Sequence, residues 1–241
     1  MKKKITMVCD TETTGTIVKP LVYDIAYVIT NKKGETLEER RFIVEEIFNS
    51  GLMETAYYAH KIPTLYANVS HLIKPFGVII SEMRKATERH KVTHFAAYNA
   101  NFDIRAIANT YLELFKPLGV KPIWKETNKG WKVNYQETFI KKVFRKNLEL
   151  LDIWSYACEV ILTSRNYRAV ADEQGWISPK GNYSTNAEKT YAYLTKNYNF
   201  IEEHTALEDA RIETYILWRC EQRRKKHLSG ILAQPWRMVQ K

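Results

Sequence analysis

The chain has 241 residues, 45% of them hydrophobic and 27% charged, with only nine glycines and seven prolines, so it can bury a full core and is not a disordered or low-complexity chain. A formal charge of +10 favours an anionic partner, because clustered Lys and Arg release counterions when they meet a phosphate backbone. Three widely spaced cysteines, Cys9, Cys158 and Cys220, argue against a disulfide framework or a paired zinc site and fit a reducing, cytoplasmic compartment.

The basic start Met1-Lys2-Lys3-Lys4 leads into an apolar run that breaks at Asp10 and Glu12, too short for a secretory h-region. No stretch approaches the roughly 20 apolar residues that span a bilayer. Ile5 to Cys9 reads as a buried strand ending at an acidic, Thr-rich turn, and Leu21 to Thr30 as a second strand rich in β-branched and aromatic residues. Asn31-Lys32-Lys33-Gly34 makes a turn and Thr36 to Val44 returns as a third strand, which predicts an antiparallel meander with the first strand central. Residues 45–71 read as a mixed, helical region interrupted at Pro63, and Phe76 to His90 carries apolar positions at helical spacing.

Thr93 to Tyr98 is a short apolar strand, followed by an amphipathic helix over Asn101 to Phe115. Between Lys121 and Asn147 eight Lys or Arg stand against two Glu, interleaved with Trp124, Trp131, Tyr135, Phe139 and Phe144. Asn128-Lys129-Gly130 there marks a hairpin tip, so this segment reads as an inserted two-stranded arm. Leu148 to Leu151 resumes the core, Asp152 is the N-cap of a helix to about Thr163, and a polar loop follows over Arg165 to Lys180. Helices over Asn186 to Asn197 and from about Thr205 to Lys225 complete the pattern. The expected organisation is one α/β domain over 1–228, with an insertion at about 121–147 and a tail over 229–241. A meander followed by strand-helix alternation predicts a mixed sheet, antiparallel and parallel, flanked by helices.

Three short segments carry chemistry. In Asp10-Thr11-Glu12-Thr13-Thr14-Gly15, alternation along an extended chain puts both carboxylates on one side, where they can converge on hard, oxygen-loving Mg²⁺ or Mn²⁺. In Tyr98-Asn99-Ala100-Asn101-Phe102-Asp103, an acid at a helix start reaches the same sheet end. In His204-Thr205-Ala206-Leu207-Glu208-Asp209-Ala210, Asp209 faces the sheet from the first turns of a helix and His204 sits just before it. Taken singly each has a plainer reading: a solvated acidic loop, a helix cap at Asn101 or Asp103, a surface histidine.

Together, the order and spacing of the three segments resemble the DEDDh family of 3'-to-5' exonucleases, which has a ribonuclease H-like fold. The resemblance spans most of the chain from Ile5 to about Arg224, although only the three segments match closely and the insertion at 121–147 and the loop at 165–180 lie outside the family core. It implies that Asp10, Glu12, Asp103 and Asp209 hold two Mg²⁺ or Mn²⁺ ions and that His204 takes the proton of the attacking water. Four carboxylates carry about −4 and two divalent cations +4, so neither set is stable at close quarters without the other. An imidazole of unperturbed pKa near ~6.5 suits a general base around neutral pH.

Thr11, Thr13, Thr14 and Asn99 lie beside these positions and are candidates to contact the terminal nucleotide, with ordinary turn hydrogen bonding as the alternative. The basic, aromatic insertion has the composition of a single-strand binding surface, and Arg223-Arg224-Lys225-Lys226 adds charge after the last helix. The expected activity is removal of nucleotides from single-stranded DNA, with the same chemistry on short RNA as its closest alternative and a non-catalytic nucleic-acid module or polymerase accessory subunit as a third. A DNA polymerase is a possible partner, no membrane is expected, and the sequence is silent on oligomeric state.

Overall fold

The computed structural model describes residues 4–15, 19–115, 124–127, 130–133, 144, 148–178, 181–223, 230, 232 and 234–241. Three long strands open the chain: β1 (Ile5–Gly15), β2 (Pro20–Asn31) and β3 (Thr36–Val44). They pair antiparallel in sequence order, as the meander predicts. The β2–β3 turn closes with the Gly34 amide donating to the Asn31 carbonyl. Gly34 has φ +81° and sits so close to the Trp218 indole that a Cβ there would lie 2.7 Å from it, so both conformation and space require glycine.

Residues 45–72 form a series of short turns: α1 (Glu45–Phe48), 3-10 turns at Gly51–Thr55, Ala59–Lys61 and Ser70–Leu72, and α2 (Ile62–Leu65). Pro63, expected to interrupt a helix, falls in the first turn of α2, where its missing N–H costs nothing. A short strand β4 (Ile73–Lys74), helix α3 (Phe76–Arg89), strand β5 (His94–Ala97) and helix α4 (Ala100–Leu114) follow. Within the insertion, β6 (Trp124–Thr127) and β7 (Gly130–Val133) pair as a separate antiparallel hairpin. The remaining side chains of the basic segment, Phe144 apart, lie outside the described residues, as do Arg224, Lys225 and Lys226.

Strand β8 (Glu149–Asp152) leads into α5 (Ile153–Ala157), which continues as one π-helical turn over Cys158–Leu162. The segment read as a polar loop holds a helix, α6 (Arg165–Glu173), capped by the Ser164 hydroxyl. Only Tyr167 and Ala171 of α6 are buried, a stripe too thin to stand out from its polar sequence. Helices α7 (Ala187–Thr195) and α8 (Ala206–Glu221) complete the main body. The chain then closes with a 3-10 turn, Pro235–Val239, that buries Val239. Among the described residues no helix is long and apolar enough to cross a membrane.

The main sheet runs β4-β3-β2-β1-β5-β8, with β1, β5 and β8 parallel to one another. It is the mixed, helix-flanked α/β sheet expected from the sequence. Alternate residues of β1 feed two cores: Met7 and Cys9 pack with α3 and α4, whereas Val8 packs with α5, α7 and α8. Strand β1 thus lies between helical layers, and its C-terminal end is within reach of helix N-termini from both faces. Open α/β sheets place their ligands at that end of the strands.

Candidate active site

The parity that sorts the β1 core continues into its acidic end. Asp10 and Glu12 share the face of Val8, toward α8, and Thr11 shares the face of Cys9, toward α4. A register shift between Glu12 and Thr13 loosens the ladder to β2 just past the second acid, and bulges of this kind re-aim side chains next to active sites.

The second segment sits at the β5–α4 junction. Asn99 turns the chain with φ 68°, and the Ala100 amide donates to Asp152 Oδ1 at 3.0 Å. Asp152 also accepts from the Ser155 amide at 3.0 Å, so one buried carboxylate caps both α4 and α5. Asp103, in the first turn of α4, is 2% exposed and accepts the Thr11 hydroxyl at 2.8 Å. The helix N-terminus and Thr11 both favour its ionised form, yet burial wins and lifts its pKa to about 7.

The third segment is anchored from below. The Ala206 amide, first of α8, donates to Asp24 Oδ2 at 3.3 Å. Asp24 is fully buried on β2, receives Arg41 Nη2 at 2.8 Å and accepts the Tyr66 hydroxyl at 2.7 Å. His204 stands just before this anchor with φ 61°, a left-handed conformation that a non-glycine residue adopts at a cost. Its ring stacks on Tyr58, with centroids 4.1 Å apart and planes at 17°, and Lys61 Nζ lies 4.9 Å from the Tyr58 centroid. On the imidazole edge, Nδ1 is 3.9 Å from Glu202. Burial, and then the Lys61 charge, lower the His204 pKa, which keeps the ring neutral and able to accept a proton at neutral pH.

Ligand atoms of Glu12, His204 and Asp209 all lie within 4.8 Å of one another. The carboxyls of Glu12 and Asp209 are close enough to share a proton. Burial raises Asp10, Glu12 and Asp209, the last to about 7, and the charges acting most strongly on Asp10 are Glu213, Asp209, Asp103 and Glu12, all acidic. All five residues singled out in the sequence therefore sit together in one electrostatic field at the C-terminal end of β1. Asp209 Oδ1 is buried with no hydrogen-bond partner among the described residues. Facing, half-buried carboxyls with an unpartnered oxygen fit hard divalent cations, which favour such donors. The imidazole of His204 also reaches this donor group, although the resemblance assigns it no metal.

The flanking positions divide. Thr11 turns its hydroxyl onto Asp103, and Thr14 is buried with its hydroxyl unpartnered among the described residues. Thr13 is half-buried and Asn99 exposed, and both remain open to a ligand. The structure adds residues that the motifs did not indicate. Glu213, 3% exposed, lies one turn beyond Asp209 and accepts the Tyr98 amide at 3.0 Å. Its i+4 spacing from Asp209 was a readable signal. Tyr58 and Asp24 gave none, because only tertiary packing brings them to His204 and α8, whereas Glu202 lies two residues before His204 in the chain.

No family model matches the sequence, and no curated protein matches it. Among solved structures, exonuclease I from Methylocaldum szegediense aligns over 92% of this chain and 41% of its own, at 16% identity and a TM-score of 0.55. Exonuclease I of E. coli in complex with a dT13 oligonucleotide aligns over 91% and 41%, at 14% identity and a TM-score of 0.55. An apo exonuclease I aligns over 92% and 43%, at 14% identity and a TM-score of 0.54. The chain therefore spans about two-fifths of the length of the exonuclease I chains it matches. At these identities the likeness is one of fold, and the fold is the ribonuclease H-like one.

Proposed function

We propose that the chain is a divalent-metal-dependent 3'-to-5' exonuclease that hydrolyses phosphodiester bonds at the 3' end of single-stranded DNA. The observation that carries this reading is the meeting of Glu12, His204 and Asp209 within 4.8 Å, in the same field as Asp10 and Asp103. Three segments far apart in sequence supply them. The overall charge of +10 around an acidic centre suits a polyanionic substrate that must be drawn toward cations.

In this reading Asp10, Glu12, Asp103 and Asp209 would hold the ions. Two divalent cations, when bound, supply an activated water and neutralise the charge that develops on the leaving oxygen of an in-line displacement. His204, kept neutral by burial and by Lys61, accepts the proton of the attacking water, and its stack on Tyr58 fixes the plane in which it does so. Thr11 holds Asp103 in place from β1, and the Asp24 anchor fixes where α8 begins. Thr13 and the exposed Asn99 would touch the terminal nucleotide.

A 5'-labelled single-stranded DNA oligomer incubated with Mg²⁺ or Mn²⁺ is expected to shorten one nucleotide at a time from its 3' end. Full-length label after incubation with either ion overturns the reading. A matched RNA oligomer run in parallel measures how strongly the sugar matters.

A further inference from the structure

A concavity opens where β5 and β8 end, and apart from Asn99 the chemistry above leaves its lining unused. It encloses about 490 Å³ and is walled by Tyr98, Trp154, Tyr183 and Trp236, with Asn182 and Asn186 on its border. Asn99 lies in the same lining, one turn ahead of Asp103 on the chain, so the cleft adjoins the segment that carries one of the site's acids. Among the described residues that line it there is no Asp, Glu, Lys, Arg or His.

The polar ends of three of these aromatic residues are already hydrogen-bonded within the protein. The Tyr98 hydroxyl donates to the Thr185 carbonyl at 2.5 Å, the Trp154 indole N–H to the Thr185 hydroxyl at 2.9 Å, and the Tyr183 hydroxyl to Asp172 at 2.9 Å. The rings of Tyr98 and Trp154 are near-parallel, at 26°, with centroids 6.5 Å apart. What the walls offer is rigid ring surface, and what the border offers is neutral amide and hydroxyl groups.

That combination fits a flat, uncharged heteroaromatic ring with hydrogen-bonding edges and suits neither a phosphate, which needs cations, nor an aliphatic chain, which gains nothing from amides. Arg237, exposed and 5.6 Å over the Trp236 ring, places a cation beside the cleft where a linking phosphate would pass. We propose that this cleft is a subsite for a nucleobase of single-stranded nucleic acid upstream of the bond that is cut. The proposal rests on the nucleic-acid part of the function proposed above, and it assigns substrate grip to Trp236 and Trp154 rather than to the acidic centre.

The test is equilibrium binding of a fluorescein-labelled single-stranded dT oligomer, followed by anisotropy in EDTA so that nothing is cut. One stacked base contributes a factor of about five or more, so Trp236→Leu is expected to raise Kd at least about fivefold, with Trp236→Phe within about twofold of wild type. Asn182→Trp, which fills the cleft from a different loop, is expected to act like Trp236→Leu and covers the case in which that variant fails to fold. An abasic site near the 3' end should weaken binding to wild type and not to Trp236→Leu. Unchanged Kd in Trp236→Leu and Asn182→Trp, or no binding by wild type, overturns the subsite. Shortening of the same oligomer by wild type with Mn²⁺ reads the nuclease separately. Shortening with unchanged variant binding sinks the cleft alone, and Trp236-dependent binding without shortening sinks the nuclease alone.

Discussion

His204 holds a left-handed backbone, φ 61°, whose cost for a non-glycine residue is about 1–3 kcal/mol. Such strain persists where surrounding structure enforces it, and here the Tyr58 stack and the Ala206 anchor enclose the residue on both sides. Because the ring also lies within 4.8 Å of Glu12 and Asp209, base and metal ligand are distinct roles that one variant separates. His204→Ala is expected to lower kcat by about 10²- to 10⁴-fold while calorimetric Mn²⁺ affinity stays unchanged; a matching loss of affinity would make the imidazole a ligand. Tyr58→Ala is expected to lower kcat by about ten- to hundredfold with KM nearly constant, since small misplacements of a reacting group cost that much. Tyr58→Phe, which keeps the ring, should restore the rate, and failure to do so would remove Tyr58 from the role of positioning His204.

At the scale of elements, the site depends on where helices begin. Asp152 caps α4 and α5 together, and Asp24 receives the first amide of α8 while paired to Arg41 and Tyr66. The Asp24–Arg41 pair is deeply placed, with side-chain exposures of 0% and 15%. Removing one partner of a buried pair leaves an uncompensated charge, at a cost of about 3–5 kcal/mol. Arg41→Met is therefore expected to lower unfolding stability by about that amount in urea denaturation, and to reduce activity in step because α8 carries Asp209. A loss below about 1 kcal/mol would place the pair among exposed ion pairs of little consequence.

For the whole molecule, the acidic centre couples stability to pH and to cations. Folding raises Asp103 and Asp209 from near ~4 in the unfolded chain to about 7, and Glu202 to about 8, in each case chiefly by burial. Between these limits the folded state binds more protons than the unfolded one, so stability from these groups is full below about pH 4 and falls as pH rises through about 7 to 8. Melting in EDTA is expected to show this decline across pH 5 to 8. Divalent cations should reverse it most strongly at the upper end, where protons no longer neutralise the cluster. A cation at roughly a hundred times its Kd should raise Tm by about 5–10 °C, and a Tm indifferent to Mg²⁺ and Mn²⁺ at pH 8 would argue that no ion binds there.

The sequence by itself determined the strand meander, the central place of β1 and the end of the sheet at which Asp10 and Glu12 emerge, because alternation and turn residues are local properties of the chain. It also placed Asp103 and Asp209 in the first turns of their helices, since caps and helical periodicity are read within a few residues. It missed α6, whose buried stripe is only Tyr167 and Ala171, and it made Pro63 a break where the fold uses it as a start. Only the tertiary structure decided that Thr11 braces Asp103, that Tyr58 covers His204 and that Asp24 holds α8. Those contacts join residues from 92 to 182 positions apart wherever a hydrogen bond from β1 or β2 makes them. No local pattern encodes such pairs, because which faces meet is set by the packing of helices onto both sides of one sheet.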